Sequence, residues 1–126
     1  MSVEERKTFL LLLVIIFNYH GLNDVEQQIL KETAASLHAE EELLWVKEFS
    51  SPSIDETYDK IKQYITAYIA TYSNEQKLAC LVLVWDTNMQ KGYISEMEAT
   101  AMLLLSKEWK VQKEFILHIR EKKKSN

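Results

Sequence analysis

The chain has 126 residues, a formal net charge of −4, two glycines, one proline and one cysteine. That length buries one hydrophobic core without covalent staples, and so few chain breakers exclude a turn-rich fold in favour of helices with short connections. Mild acidity argues against a general nucleic-acid binder, which needs a basic face; a lone cysteine excludes an intrachain disulfide or a cysteine-based zinc site and fits a reducing, cytoplasmic setting.

Capping signals divide the chain into helices. Ser2 and Glu5 have the spacing of a capping box, a short polar residue followed three positions later by a glutamate. They open a first helix to about Asn18. Its stretch Phe9 to Phe17 is almost wholly apolar and about half the roughly twenty residues that span a bilayer. Neither a net positive start nor a small-residue cleavage site accompanies it, so it reads as a core helix and not as a membrane or signal segment. A second box, Asn23 and Glu26, opens helix two, ending near Leu37 and His38. Ala39 to Phe49 makes a short third helix with Glu40, Glu41 and Glu42 in its first turn, where they favour the helix dipole.

Ser50 to Ser53, with the single proline, is the clearest loop. Ser53 and Glu56 open helix four, which runs to Thr71 or Tyr72 along a seam of Ile54, Tyr58, Ile61, Ile65, Tyr68 and Tyr72, widened by Tyr64 and Ile69. Ser73 and Gln76 open helix five, whose run Leu78 to Trp85 is again apolar and contains Cys80 as a buried, inert thiol. Ser95 and Glu98 open helix six, with Met97, Ala101, Leu104 and Leu105 read as its core face. A weak break at Trp109 and Lys110 precedes helix seven, which buries Val111, Phe115 and Ile119 and carries His118 four residues after Glu114 on its solvent face.

Two units therefore share one plan: an apolar helix, a turn with one of the two glycines (Gly21 or Gly92), then a capped helix. A helix apolar on all sides must be surrounded by others. The expectation is an all-α, single-domain bundle of about seven helices over residues 1–126. A pseudo-two-fold repeat relates units of about 2–49 and 73–122 through the helix at 53–72, with helices one and five central.

Chemistry is sparse. The loop from Asp86 to Glu98 half-resembles an EF-hand, but no register supplies both its oxygen ligands and its glycine and glutamate. If the two units pack back to back, Asp24, Glu26, Asp86, Glu96 and Glu98 form a candidate divalent-metal set, with Asn18, His20 and Asn88 nearby. Capping and solvation are the plainer roles for these side chains. No nucleophile has an adjacent base, and no glycine-rich phosphate loop occurs, so no enzyme and no cofactor are expected. Trp45, Val46 and Phe49 on the short third helix are the candidate partner-binding surface, for another protein or a second copy.

The frame Gly92-Tyr93-Ile94-Ser95-Glu96-Met97-Glu98, following the apolar helix Leu78 to Trp85, resembles the tellurite-resistance TerB family. Gly21 to Glu26 is a shortened version, and the Ser53-Ile54-Asp55-Glu56 start before the second unit also fits. The resemblance covers about Thr8 to Arg120. It implies a TerB-like helical domain and a cytoplasmic role around metal and oxyanion stress at the membrane face, with peripheral membrane association reached through partners. The family's aspartate before glycine is His20 in one unit and Lys91 in the other, and a lysine there would repel a cation. The leading expectation is a non-catalytic, stress-associated protein-interaction module. The alternatives are a divalent-metal-binding stress protein and a small immunity or anti-toxin protein.

Overall fold

A computed structural model describes residues 1–18, 22–50 and 54–125, with side chains 54, 55 and 122–125 left aside. Among the described residues there are seven α-helices and no strand: α1 Val3–Phe17, α2 Asp24–Ser36, α3 Glu40–Phe49, α4 Ile54–Ile69, α5 Asn74–Asn88, α6 Glu96–Glu108 and α7 Gln112–Ser125. A 3-10 turn, Met89–Lys91, extends α5. None of these helices is long and apolar enough to cross a membrane. The expected loop at Ser51 to Ser53, with the Ser53 cap, and the Tyr19-His20-Gly21 turn lie outside the described residues.

Four helices start on the capping boxes read from the sequence. Ser2, Asn23, Ser73 and Ser95 each accept a hydrogen bond from the backbone N–H three residues on. In return, Glu5, Glu26, Gln76 and Glu98 accept from the N–H of the cap residue. Each box satisfies two backbone donors that a helix start otherwise leaves orphaned.

Helix α1 is the axis of the bundle, packing against α2, α3, α4, α5 and α6. Phe9, Leu10, Leu11, Leu12, Leu13, Val14, Ile16 and Phe17 are all buried, which accounts for a run with no polar face. Thr8 is buried among them because its hydroxyl donates to the Glu4 carbonyl at 2.9 Å. Helix α5 is less completely enclosed than α1. It buries Cys80, Leu81, Val84, Thr87 and Asn88 on one side, while Leu78, Val82 and Leu83 are only partly covered. It packs against α1, α6 and α7.

Two helix ends share an uncommon device. α2 and α6 both stop in a Schellman motif whose left-handed residue is not glycine: His38 at φ 54° and Lys110 at φ 62°. Ala39 N–H reaches the Ala34 carbonyl at 2.7 Å, and Val111 N–H reaches Ser106 at 2.9 Å. Both motifs turn the chain straight into the next helix and bury the residue that follows, Ala39 or Val111. Holding an L-residue in the left-handed region is costly. His38→Gly and Lys110→Gly should therefore each stabilise the protein, by up to about 1 kcal/mol after the glycine's greater freedom in the unfolded chain is offset. Urea unfolding with an unchanged slope would verify this.

Candidate functional site

The α2 and α6 capping boxes face each other at one end of α1, and a lysine stands between them. Each glutamate gives one carboxylate oxygen to its own cap: Glu26 Oε1 accepts from Asn23 N–H at 3.2 Å and Glu98 Oε1 from Ser95 N–H at 2.9 Å. Their remaining oxygens converge on Lys91 Nζ, Glu26 Oε2 at 3.0 Å and Glu98 Oε2 at 2.5 Å. The Lys91 side chain is 3% exposed and the two carboxylates 5% and 1%. The Phe17 and Tyr93 rings lie 5.3 and 5.0 Å from the ammonium, within cation–π range. The 3-10 turn delivers Lys91 to this position, and Gly92 releases the chain at φ 98°, which an L-residue would resist.

Burial by itself would lower the lysine's pKa, but the hydrogen bonds it donates to Glu98 and Glu26 outweigh it and hold the ammonium above its ordinary value. Burial likewise pushes Glu98 up, and the bonds from Lys91 and Ser95 more than reverse it, leaving the carboxyl below its usual range. The triad is thus a hydrogen-bonded cluster with almost no exposure to solvent.

Of the candidate metal set, the structure brings together only Glu26 and Glu98, around a cation that the chain itself supplies. Asp24 and Glu96 point to solvent, and Asp86 lies on α5 with an oxygen 3.2 Å from His118 Nε2. Among the described residues no group of three or more histidine, cysteine or carboxylate side chains is placed to hold a metal ion. His118 therefore reaches across to α5 and does not pair along α7 with Glu114. Asn88 is fully buried, and its amide finds no hydrogen-bond partner among the described residues. His20 lies outside the described residues.

The candidate partner surface on α3 is also redistributed. Val46 is completely buried and offers nothing to a partner. Trp45 and Phe49 join Tyr64 and Tyr68 in a chain of rings with centroids 4.7–5.5 Å apart, and Lys7 and Lys60 lie over the Trp45 and Phe49 rings. Tyr64 donates to Glu4 at 2.7 Å, which ties α4 to α1 and holds Glu4 below the usual carboxylate range. Burial, then the hydrogen bond to Glu4 and its charge, raises Tyr64 far above the tyrosine range. This cluster closes the core where α1, α3 and α4 meet.

The open apolar surface lies elsewhere. α4 and α6 both pack on α1 and leave a cavity of about 270 Å³ between them. Leu12, Ile15 and Ile16 form its floor; Tyr58, Lys62, Ile65 and Thr66 form one wall, and Ala101, Leu104, Leu105, Glu108 and Trp109 the other. Leu104 is 58% exposed, and Met97, one α6 turn beyond Ala101, is 52% exposed. Both were expected in the core. α6 is apolar on two sides, and it is Met102, Ser106 and Glu98 that face inward. Cys80 is buried as expected, and desolvation pushes its thiol up to about 12.

Comparison with family models, with curated proteins and with solved structures finds no match to this chain.

Removing one partner from a buried ion cluster leaves uncompensated charge, typically at a cost of about 3–5 kcal/mol. Lys91→Met should lose that much at pH 7. The sign with pH follows from the pKa directions. The wild-type contribution of Glu98, whose folded pKa is depressed, is present above its unfolded value of about 4.3 and lost as pH falls through the folded pKa. That of Lys91, whose folded pKa is raised, is present below about 10.4 and lost as pH rises through the folded pKa. In Lys91→Met, Glu98 keeps its burial and loses the lysine that lowers it, so its pKa rises and the variant should regain stability relative to wild type between pH 7 and 5. Urea midpoints across that range would measure the difference.

Proposed function

We propose that this chain is a non-catalytic, cytoplasmic helical module of TerB-like type that acts by binding another polypeptide through the groove between α1, α4 and α6. The observation carrying the reading is the groove itself, with an apolar floor, one charge on each wall and a large exposed leucine at its lip. A monomer gains nothing by leaving Leu104 and Met97 in water, and contiguous apolar surface with a polar margin is the usual form of a binding site. Its shape, a trough between two helices over a third, suits an apolar helix face laid along it.

Support for the TerB-like reading comes from positions that recur in the same order in the two halves of the chain. The capping glutamates Glu26 and Glu98, the left-handed residues His38 and Lys110, and the buried residues Ala39 and Val111 that follow them stand at matching places. An internal duplication accounts for that register. The divalent-metal alternative draws on Glu26 and Glu98, but Lys91 already stands between them and offsets one of their two charges. Calorimetric titration of the wild-type protein with calcium, magnesium and zinc addresses it directly.

A photo-crosslinking amino acid at Leu104, compared with one at the exposed Lys31 on α2, tests the binding role. Adducts to a polypeptide are expected from position 104 and not from position 31. Equal labelling from both positions, or none from either, would remove the groove as the binding surface.

A further inference from the structure

We propose that the groove's occupant is a second copy of this chain, in a two-fold dimer that sets α6 of each copy into the groove of the other. The inference rests on the reading of the groove as a binding surface and names its partner. Three features make the surface complementary to itself. It presents a ridge and a trough side by side, Leu104 standing out at 58% exposure beside a floor that includes Ile15. A two-fold interface is isologous, so a patch that holds both shapes satisfies both copies at once. The charges fit the same symmetry. Among the described residues the only charged side chains lining the groove are Lys62 on the α4 wall and Glu108 on the α6 wall. Placing α6 in the groove of its mate sets Glu108 of one copy opposite Lys62 of the other, and the two-fold makes that pair twice. A basic or acidic partner helix would match one wall and oppose the other. Finally, the apolar ridge continues along α6 to Met97, where it borders a shallow depression with Thr100, so the contact runs the length of the helix.

With contact confined to one helix and the trough beside it, the dimer is expected to be weak, with dissociation on the order of micromolar. Opposite charges at the rim chiefly select the partner and the register, and salt screens them.

Sedimentation velocity of the full chain at about 5 and about 500 μM tests this. The weight-average coefficient should rise from the monomer value toward that of a dimer. Leu104→Glu, an exposed position whose substitution leaves the fold intact by circular dichroism, should remain monomeric at both concentrations. Lys62→Glu and Glu108→Lys should each weaken association about tenfold, because each places like charges together twice, and the double exchange should restore it. A wild-type monomer at both concentrations would overturn the proposal, as would a dimer indifferent to Leu104→Glu or a double exchange no better than the singles. A monomer that still forms Leu104 crosslinks to a different polypeptide would end the dimer and leave the groove's binding role standing.

Discussion

The arrangement of this bundle depends on an ammonium group held between two carboxylates in a site almost without water. Glu26 and Glu98 are each engaged twice, once in capping the helix that carries them and once in binding Lys91. Geometry that suits the caps therefore also fixes where the lysine must stand, and the lysine in turn sets the distance between the α2 and α6 starts. Buried ion clusters are poor sources of net stability compared with apolar packing of the same volume, but they are intolerant of rearrangement. Here the cluster acts as a register pin. It fixes α2 against α6 at the end of α1, where Phe17 closes the apolar column.

The second constraint is the composition of α1. With no polar face, it must be covered on every side, and five helices share the task. α3 and α4 seal their junction with the Trp45, Phe49, Tyr64 and Tyr68 rings, whereas α4 and α6 approach α1 from either side without closing over it. The groove lies over α1 where the described parts of α4 and α6 do not meet. Its floor is only partly buried at Ile15, and its outer lip carries apolar residues that the core does not use.

Much of the helical layout was legible in the sequence because capping boxes are local: the residue pairs that name them also make them. The starts of α1, α2, α5 and α6 follow from such pairs, and the full burial of α1 follows from a run with no polar side. Where the chain was apolar on more than one side, periodicity could not choose. The two-sided pattern of α6 concealed that Met97 and Leu104 face outward. The apolar run of α5 does not tell its fully enclosed Leu81 and Val84 side from the partly covered Leu78, Val82 and Leu83. Val46 was misplaced for the opposite reason: a short helix rich in apolar residues suggested a surface, and the bundle used that residue as core. The triad was half visible. Lys91 was read as a group that repels a cation, whereas it takes the cation's place. The available signal was a lysine just before the glycine of a unit whose capping glutamate has a counterpart in the other unit. Pairing across the two units is a long-range fact that spacing does not carry.

If Lys91 joins two helix starts that otherwise have no direct bond to each other, the starts should open together when it is removed. Native-state hydrogen exchange on wild type and Lys91→Met reads this residue by residue, at the first-turn amides of Gln27 on α2 and Ala99 on α6, which bond to the Asn23 and Ser95 carbonyls. A matched loss of protection at both amides, with the α1 amides retaining theirs, is the expected result. Loss at Ala99 alone, or unchanged protection at both, would contradict a register pin shared between the two helices.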